Sequence, residues 1–365
     1  MKKVLSVFGT RPEAIKMAPV VKELELRREI KSIVCVTAQH REMLDQVLEV
    51  FGIHPDYDLN IMKEGQTLGY ITAEVLTALN RIIEKERPDL VLVHGDTTSA
   101  MAAALAAYYR NTAVGHVEAG LRTYDINSPF PEEINRQIID KISRLLFAPT
   151  YLNKENLQKD CNKGQMIFVT GNTVVDALKT TVIEGYSCDD FDWVKNHRMI
   201  LLTTHRRENF GKPMENIFAV INKITDEFDD VRVIYPVHPN PEVRNVAKRM
   251  FDGNKKIRLT NPLDVIEFHN YMEKAYLIMS DSGGVQEEAS ALHKPVLVLR
   301  KETERPEGVN AGTLKLVGTS FDEVLKEVRR LLVDDREYKK MIGGTNPYGD
   351  GNASKRIVDA IEKYG

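Results

Sequence analysis

Cysteine is scarce, and Cys35, Cys161 and Cys188 lie far apart in the 365 residues. That spacing fits neither a disulfide framework nor a Cys-based metal site, and it suits a reducing cytoplasm. No charge of one sign dominates. Lysine and arginine number 50 against 53 acids, a net charge of −3, so no global basic field marks a nucleic-acid partner. Long apolar runs are missing: the longest, 100–109, covers about half a membrane span. The run Val4–Phe8 is too short for a signal peptide and stops at Gly9-Thr10-Arg11-Pro12. A soluble cytoplasmic protein with no membrane partner is expected. Also absent are GxxxxGKS/T, HExxH, a paired CxxC and a nucleophile elbow. Without GxGxxG after the first strand, a nicotinamide cofactor is not expected, and neither is any other cofactor or a metal.

What is present is a strand–turn–helix, Tyr276-Leu277-Ile278-Met279 followed by Ser280-Asp281-Ser282-Gly283-Gly284-Val285-Gln286-Glu287-Glu288. Two glycines leave backbone N–H groups uncovered at a helix start, where the helix dipole favours an anion. Val285, Ala289 and Leu292 make the inner stripe of that helix, and Glu288 sits one turn in, placed to accept from a sugar diol. An ordinary glycine turn with solvated acids explains the same residues.

Around this stretch, apolar runs alternate with amphipathic helices throughout the chain. Strands are expected at 4–8, 32–37, 90–94, 113–118, 145–148 and 166–170, and again at 199–204, 231–237, 256–259, 277–280, 296–299 and 314–317. Runs that are apolar throughout belong to sheets covered on both faces. The expected fold class is α/β, with two doubly wound Rossmann-like domains and a ligand cleft between them. The boundary falls near Gly171 or in the helix and loop that follow, including the polar segment 184–190.

The strand ends carry the candidate site. Arg11 and Lys16 follow the first strand, either at a ligand or as solvated charges. Asp96 ends the strand at Leu90–Val93 and either caps the next helix or stands beside a ligand. Glu118 ends another strand, where an acid needs a partner or a function, and Arg122 is one possible partner. His116 is expected to be a satisfied core histidine. Glu132 and Arg136 share a helix whose inner stripe is expected to be Ile134, Ile138 and Ile142. They form either a surface ion pair or a cleft acid tuned by its arginine. In the second half, His205 is flanked by Arg206 and Arg207, while His238 and Arg305 follow later strands. These residues together suit binding of a doubly anionic leaving group without metal.

The stretches FGTRPEAIKMAP, TAQH, HGDTTS, HVEAGLRT, PFPEEINR, HRREN, VHPNP, SDSGGVQEEA, ERPE and NPYGDG occur in this order. Together they resemble the non-hydrolysing UDP-N-acetylglucosamine 2-epimerases over nearly the whole chain. The resemblance implies a glycosyltransferase-B-like pair of domains, 1–170 and 171–350, with a C-terminal helix at about 351–365 packing back on the first. It implies a homodimer that interconverts UDP-GlcNAc and UDP-ManNAc, for cell-surface polysaccharide synthesis. By the same resemblance Asp96, Glu118, Glu132 and His205 are catalytic, and Arg11, Lys16 and Arg305 contact the substrate. Ser282, Gly283 and Gly284 hold the diphosphate, Glu288 the ribose, and Phe268 lies beside uracil. Leu263 stands where some members carry glutamine and offers the base no polar side chain. Gln39, Gln66, Arg206 and His238 match positions implicated in allosteric activation by UDP-GlcNAc.

The family route expels UDP from C1 to give 2-acetamidoglucal, then adds it back with the C2 proton on the other face. This fits the chemistry, because C2 bears no adjacent carbonyl and is a poor carbon acid until positive charge builds on the ring. A glycosyltransferase, a hydrolysing epimerase and a non-catalytic nucleotide-sugar sensor are the alternatives.

Overall fold

The computed structural model describes residues 1–365 apart from Gln39, His40, Glu64 and Cys161 and the side chains of Arg41, Glu42 and Met43. One of the possible allosteric positions, Gln39, therefore lies outside the described residues. The chain divides into two compact units, Met1–Thr180 with Tyr348–Gly365, and Thr181–Pro347. The change of unit falls inside the helix Thr173–Thr181.

The first unit is built on a seven-stranded parallel sheet. Its strands are β1 (Lys2–Phe8), β2 (Ile30–Val36), β3 (Tyr57–Asp58), β4 (Leu90–His94), β5 (Ala113–Val117), β6 (Leu145–Ala148) and β7 (Met166–Val169), in the order β3-β2-β1-β4-β5-β6-β7. The second has β8 (Arg198–Thr203), β9 (Val231–Pro236), β10 (Ile257–Thr260), β11 (Leu277–Ser280), β12 (Val296–Val298) and β13 (Leu314–Leu316), also all parallel, in the order β10-β9-β8-β11-β12-β13. Each sheet therefore winds outward in both directions from a central pair, β1/β4 and β8/β11. In open parallel sheets ligands settle beyond the carboxyl ends of such a pair.

The central strands explain the arrangement. Leu90, Val91, Leu92 and Val93 of β4 are fully buried, as are Leu277, Ile278 and Met279 of β11. Side chains on both faces of these strands must be covered, so helices pack on both sides. The helix Thr98–Tyr109 is rich in alanine and buries Ala100, Ala102, Ala103, Ala104, Ala106 and Ala107 among its neighbours. The C-terminal helix Ala353–Tyr364 belongs to the first unit. Asp176 accepts from the backbone N–H of Ala353 (3.1 Å) and Ser354 (2.9 Å), meeting the helix's free N-terminal donors.

Five elements depart from the sequence reading. The two-residue β3 is too short to show a period, and the helices Asp189–Trp193, Pro306–Asn310 and Asp335–Ile342 were not expected. The helix Glu132–Ile142 is rotated from its expected face: Ile134 is exposed, Ile138 and Ile142 are half-buried, and Glu133, Asn135, Arg136, Ile139 and Asp140 are buried. Apolar spacing pointed to the isoleucines, but a buried ion-pair network holds the opposite face.

Candidate active site

In the first unit the acids sit where strands end. The backbone N–H of Gly95, just after β4, donates to the carbonyl of Val117 at the end of β5 (3.0 Å). This bond places the turns of Asp96 and Glu118 side by side. Gly95 has φ +64°, and a Cβ there would lie 3.9 Å from Glu118 Oε1. Glu118 itself has φ +69°, a left-handed conformation that is costly for a residue with a side chain. Such strain collects at functional positions.

Each acid has cationic company. Lys16, buried in the helix Arg11–Glu25, ion-pairs with Glu118, and Asn172 Nδ2 donates to the same carboxylate at 2.9 Å. Glu118 thus pairs with Lys16 rather than with Arg122, which binds Asp140 at 2.6 Å and Asp160 at 3.3 Å. The Arg136 guanidinium donates to Asp96 Oδ2 through Nη2 (2.5 Å) and Nε (3.1 Å), and to Glu133 at 3.0 Å. Of the two readings of Glu132 and Arg136, the surface ion pair does not hold, because Arg136 is buried and faces Asp96. Glu132 is half-buried in the first turn of the same helix.

Asp96 is not the helix cap. Thr97 takes that place, accepting from the Ala100 N–H at 3.0 Å and donating to Glu13 Oε1 at 2.6 Å. The carboxylate one residue earlier is released from capping. Glu13 also accepts from the N–H groups of Gly9 (2.9 Å) and Thr10 (2.7 Å), stiffening the loop that carries Arg11. Burial raises the Glu13 pKa, with these hydrogen bonds opposing. His94 is fully buried, 3.8 Å from Glu118, and burial lowers its pKa to about 3. Beside the acids it is a neutral ring. Gln66 is half-buried, its amide oxygen accepting from the Lys63 N–H at 3.3 Å.

His116 is the satisfied core histidine expected: Nδ1 lies 2.6 Å from Asp140 Oδ1, and Nε2 lies 2.7 Å from the Gly95 carbonyl oxygen.

In the second unit, Ser282 caps the helix Gly283–Ala291 with no side-chain bond to it. The first N–H groups of that helix are left for another acceptor. Arg305 lies over this turn. A Cβ on Gly283 would fall 2.7 Å from its Nη1, so any side chain there would displace the guanidinium. Its Nε donates to Glu287 at 2.6 Å. Glu288 is buried, 3.7 Å from His269 Nε2. Phe268, half-buried, packs with Leu263 against the apolar cluster of Val285 and Ala289.

One carboxylate organises the cations. Asp281, fully buried, accepts from Thr204 Oγ1 (2.8 Å), Asn209 Nδ2 (2.9 Å) and the backbone N–H groups of His205 (3.0 Å) and Arg206 (3.0 Å). Its carbonyl accepts from Arg206 Nε at 2.9 Å. This fixes the loop after β8 to the turn after β11. The His205 and His238 rings are exposed and stacked, with centroids 5.5 Å apart. Partial burial and then His205 lower the pKa of His238. Burial and the nearby Arg300 lower that of Arg206. Burial works against a charge on Glu304, yet Arg305 and Arg300 hold its pKa at about 2. Cations crowded this way gain from an added anion.

The structure thus gathers Lys16, Asp96, Glu118 and Arg136 in one unit, and His205, Arg206, His238, Ser282, Gly283, Gly284 and Arg305 in the other. Sequence reasoning passed over Asp281, Glu13 and Asn172. Asp281 lay inside the stretch singled out first, and an acid between a buried strand and a glycine turn was the available signal. Among the described residues no group of three or more His, Cys, Asp or Glu is placed to hold a metal ion, and no helix is long and apolar enough to cross a membrane.

The family model for UDP-N-acetylglucosamine 2-epimerase matches residues 22–362. The UDP-N-acetylglucosamine 2-epimerase of Bacillus subtilis (strain 168) is 58% identical over 359 residues, covering 98% of this chain and 94% of the relative. The S. aureus MnaA–UDP co-structure matches with a TM-score of 0.94 at 51% identity, covering 100% of this chain and 97% of that one. UDP-GlcNAc 2-epimerase from Neisseria meningitidis bound to UDP-GlcNAc matches with a TM-score of 0.93 at 47% identity, covering 99% and 100%. A glycotransferase of kitacinnamycin, 11% identical with a TM-score of 0.66, shares the fold alone. By sequence and by fold, the chain belongs to the UDP-N-acetylglucosamine 2-epimerase family.

Proposed function

We propose that the protein interconverts UDP-GlcNAc and UDP-ManNAc by expelling UDP and adding it back. The observation that carries this reading is the pairing of Asp96 and Glu118 at adjacent strand ends, each held by its own cation. Two fixed carboxylates suit a proton that leaves one face of C2 and returns on the other. Plain deprotonation at C2 would need a far stronger base. Departure of UDP builds positive charge on the ring, and the C2 hydrogen then becomes acidic enough for a carboxylate, giving 2-acetamidoglucal.

The second unit supplies what a departing diphosphate needs. The N–H groups at the start of the helix Gly283–Ala291, Arg305 and His205 meet the developing charge, and Arg11 is a further substrate contact. Glu288 receives the ribose hydroxyls and Phe268 covers the uracil, while Lys16, Glu132 and Arg136 complete the sugar side. The protein acts as a cytoplasmic homodimer without cofactor or metal, and its product feeds cell-surface polysaccharide.

Incubation with UDP-GlcNAc in deuterated water, followed by NMR, tests the reading. Deuterium at C2 in both UDP-sugars is expected. Release of free ManNAc would mark a hydrolysing enzyme, and a nucleotide sugar bound with its C2 hydrogen unexchanged would mark a sensor.

A further inference from the structure

His116 is fully buried, and both atoms facing its ring nitrogens can only accept: the Asp140 carboxylate at 2.6 Å and the Gly95 carbonyl at 2.7 Å. A neutral imidazole has one N–H and satisfies one of them. The other oxygen of Asp140, Oδ2, accepts from Arg122 at 2.6 Å and from the Gly120 N–H at 3.2 Å. The two bonds of the ring therefore call for two N–H groups, and a buried imidazolium is matched by the buried carboxylate beside it.

The chain contacts give this pair a task. Gly95 precedes Asp96, and Gly120 follows Glu118 by two residues at φ +88°. Asp140 thus grips the Glu118 turn directly and the Asp96 turn through His116. Arg136, one turn before Asp140 on the same helix, reaches the Asp96 carboxylate itself. We propose that His116, carrying hydrogen on both ring nitrogens, and Asp140 form a positioning pair that locks the Asp96 and Glu118 turns together for proton exchange at C2. Neither residue touches the sugar. This rests on the catalytic reading of Asp96 and Glu118 given above.

Three measurements test it. With 15N-histidine labelling at pH 8, the His116 ring, assigned by its loss in His116→Gln, is expected to show two N–H signals. A ring with a single N–H overturns the proposal, and this readout needs no variant to be active. His116→Phe is expected to lower kcat about 100-fold through misplacement of the acids, with KM for UDP-GlcNAc and UDP binding changed by less than about threefold. His116→Gln, which keeps a donor toward Gly95, should recover about tenfold of that loss. A His116→Phe enzyme with wild-type kcat, or one whose loss lies wholly in KM, overturns the proposal. Asp96→Asn run alongside separates the two ideas. If it stays active, the catalytic reading falls; if it is dead while His116→Phe is normal, only the positioning pair falls.

Discussion

The two units share a winding and differ in chemistry. Both are parallel sheets in which the first strand and its crossover neighbour, β1 and β4 or β8 and β11, sit at the centre, and both put their special residues just past those strands. At the ends of β4 and β5 the first unit fixes acids with basic partners, Asp96 with Arg136 and Glu118 with Lys16. Past β8 and β11 the second unit inverts this: one buried acid, Asp281, accepts from Thr204, Asn209 and the backbone of His205 and Arg206, and so fixes the loop that carries the cations. Under the proposed function, the acid of the first unit is the reagent and the cation its support. In the second the acid is the support. The same topology serves both because the chemistry sits in strand-end loops, which the sheet positions but does not specify.

That contrast can be broken by removing an acid from each side. Asp96→Asn keeps the shape of the side chain while removing its basicity. Epimerisation should fall on the order of 10³-fold, with UDP binding unchanged, as read by coupled turnover and calorimetry. Near-wild-type turnover would leave the first unit without its reagent.

Asp281→Ala should act on the fold before the chemistry. It strips a buried acceptor from Thr204, Asn209 and two backbone N–H groups, at a cost of about 3 kcal/mol in denaturant unfolding. UDP binding should weaken with it, because the loop of His205 and Arg206 loses its anchor. A variant as stable as the parent would mean that Asp281 does not organise that loop.

Gly283→Ala is the mildest change. The added methyl meets Arg305 Nη1 at 2.7 Å. The guanidinium must shift, and UDP affinity should fall about tenfold, or 1.4 kcal/mol, with stability little altered. Unchanged UDP affinity would remove Arg305 and this turn from the diphosphate site.

Legibility differed between sheets and side-chain networks. The strands were readable because an apolar run between turn residues has few other uses, as in Leu90–Val93 and Leu277–Met279. The helix Glu132–Ile142 was misread for the matching reason: isoleucine spacing suggests an inner face, but Arg136 and Asp140 find partners on β4 and β5 loops that local spacing does not reveal. Glu118 was singled out as an acid in need of a partner, yet its partner came from Lys16, 102 residues earlier in the chain. The turn at 282–284 was readable because two glycines before a helix expose donors by themselves.

From residue order alone follow the alternation of buried strands and helices, the division into two similar halves, the glycine turn and the positions of the acids. Those depend on hydropathy period and on backbone freedom, both properties of short segments. Which charge meets which was settled only by the folded chain. A buried carboxylate is stable only beside donors, and the donors for Asp96, Glu118 and Asp281 come from segments that the sheets bring together across 40, 102 and 72–77 residues.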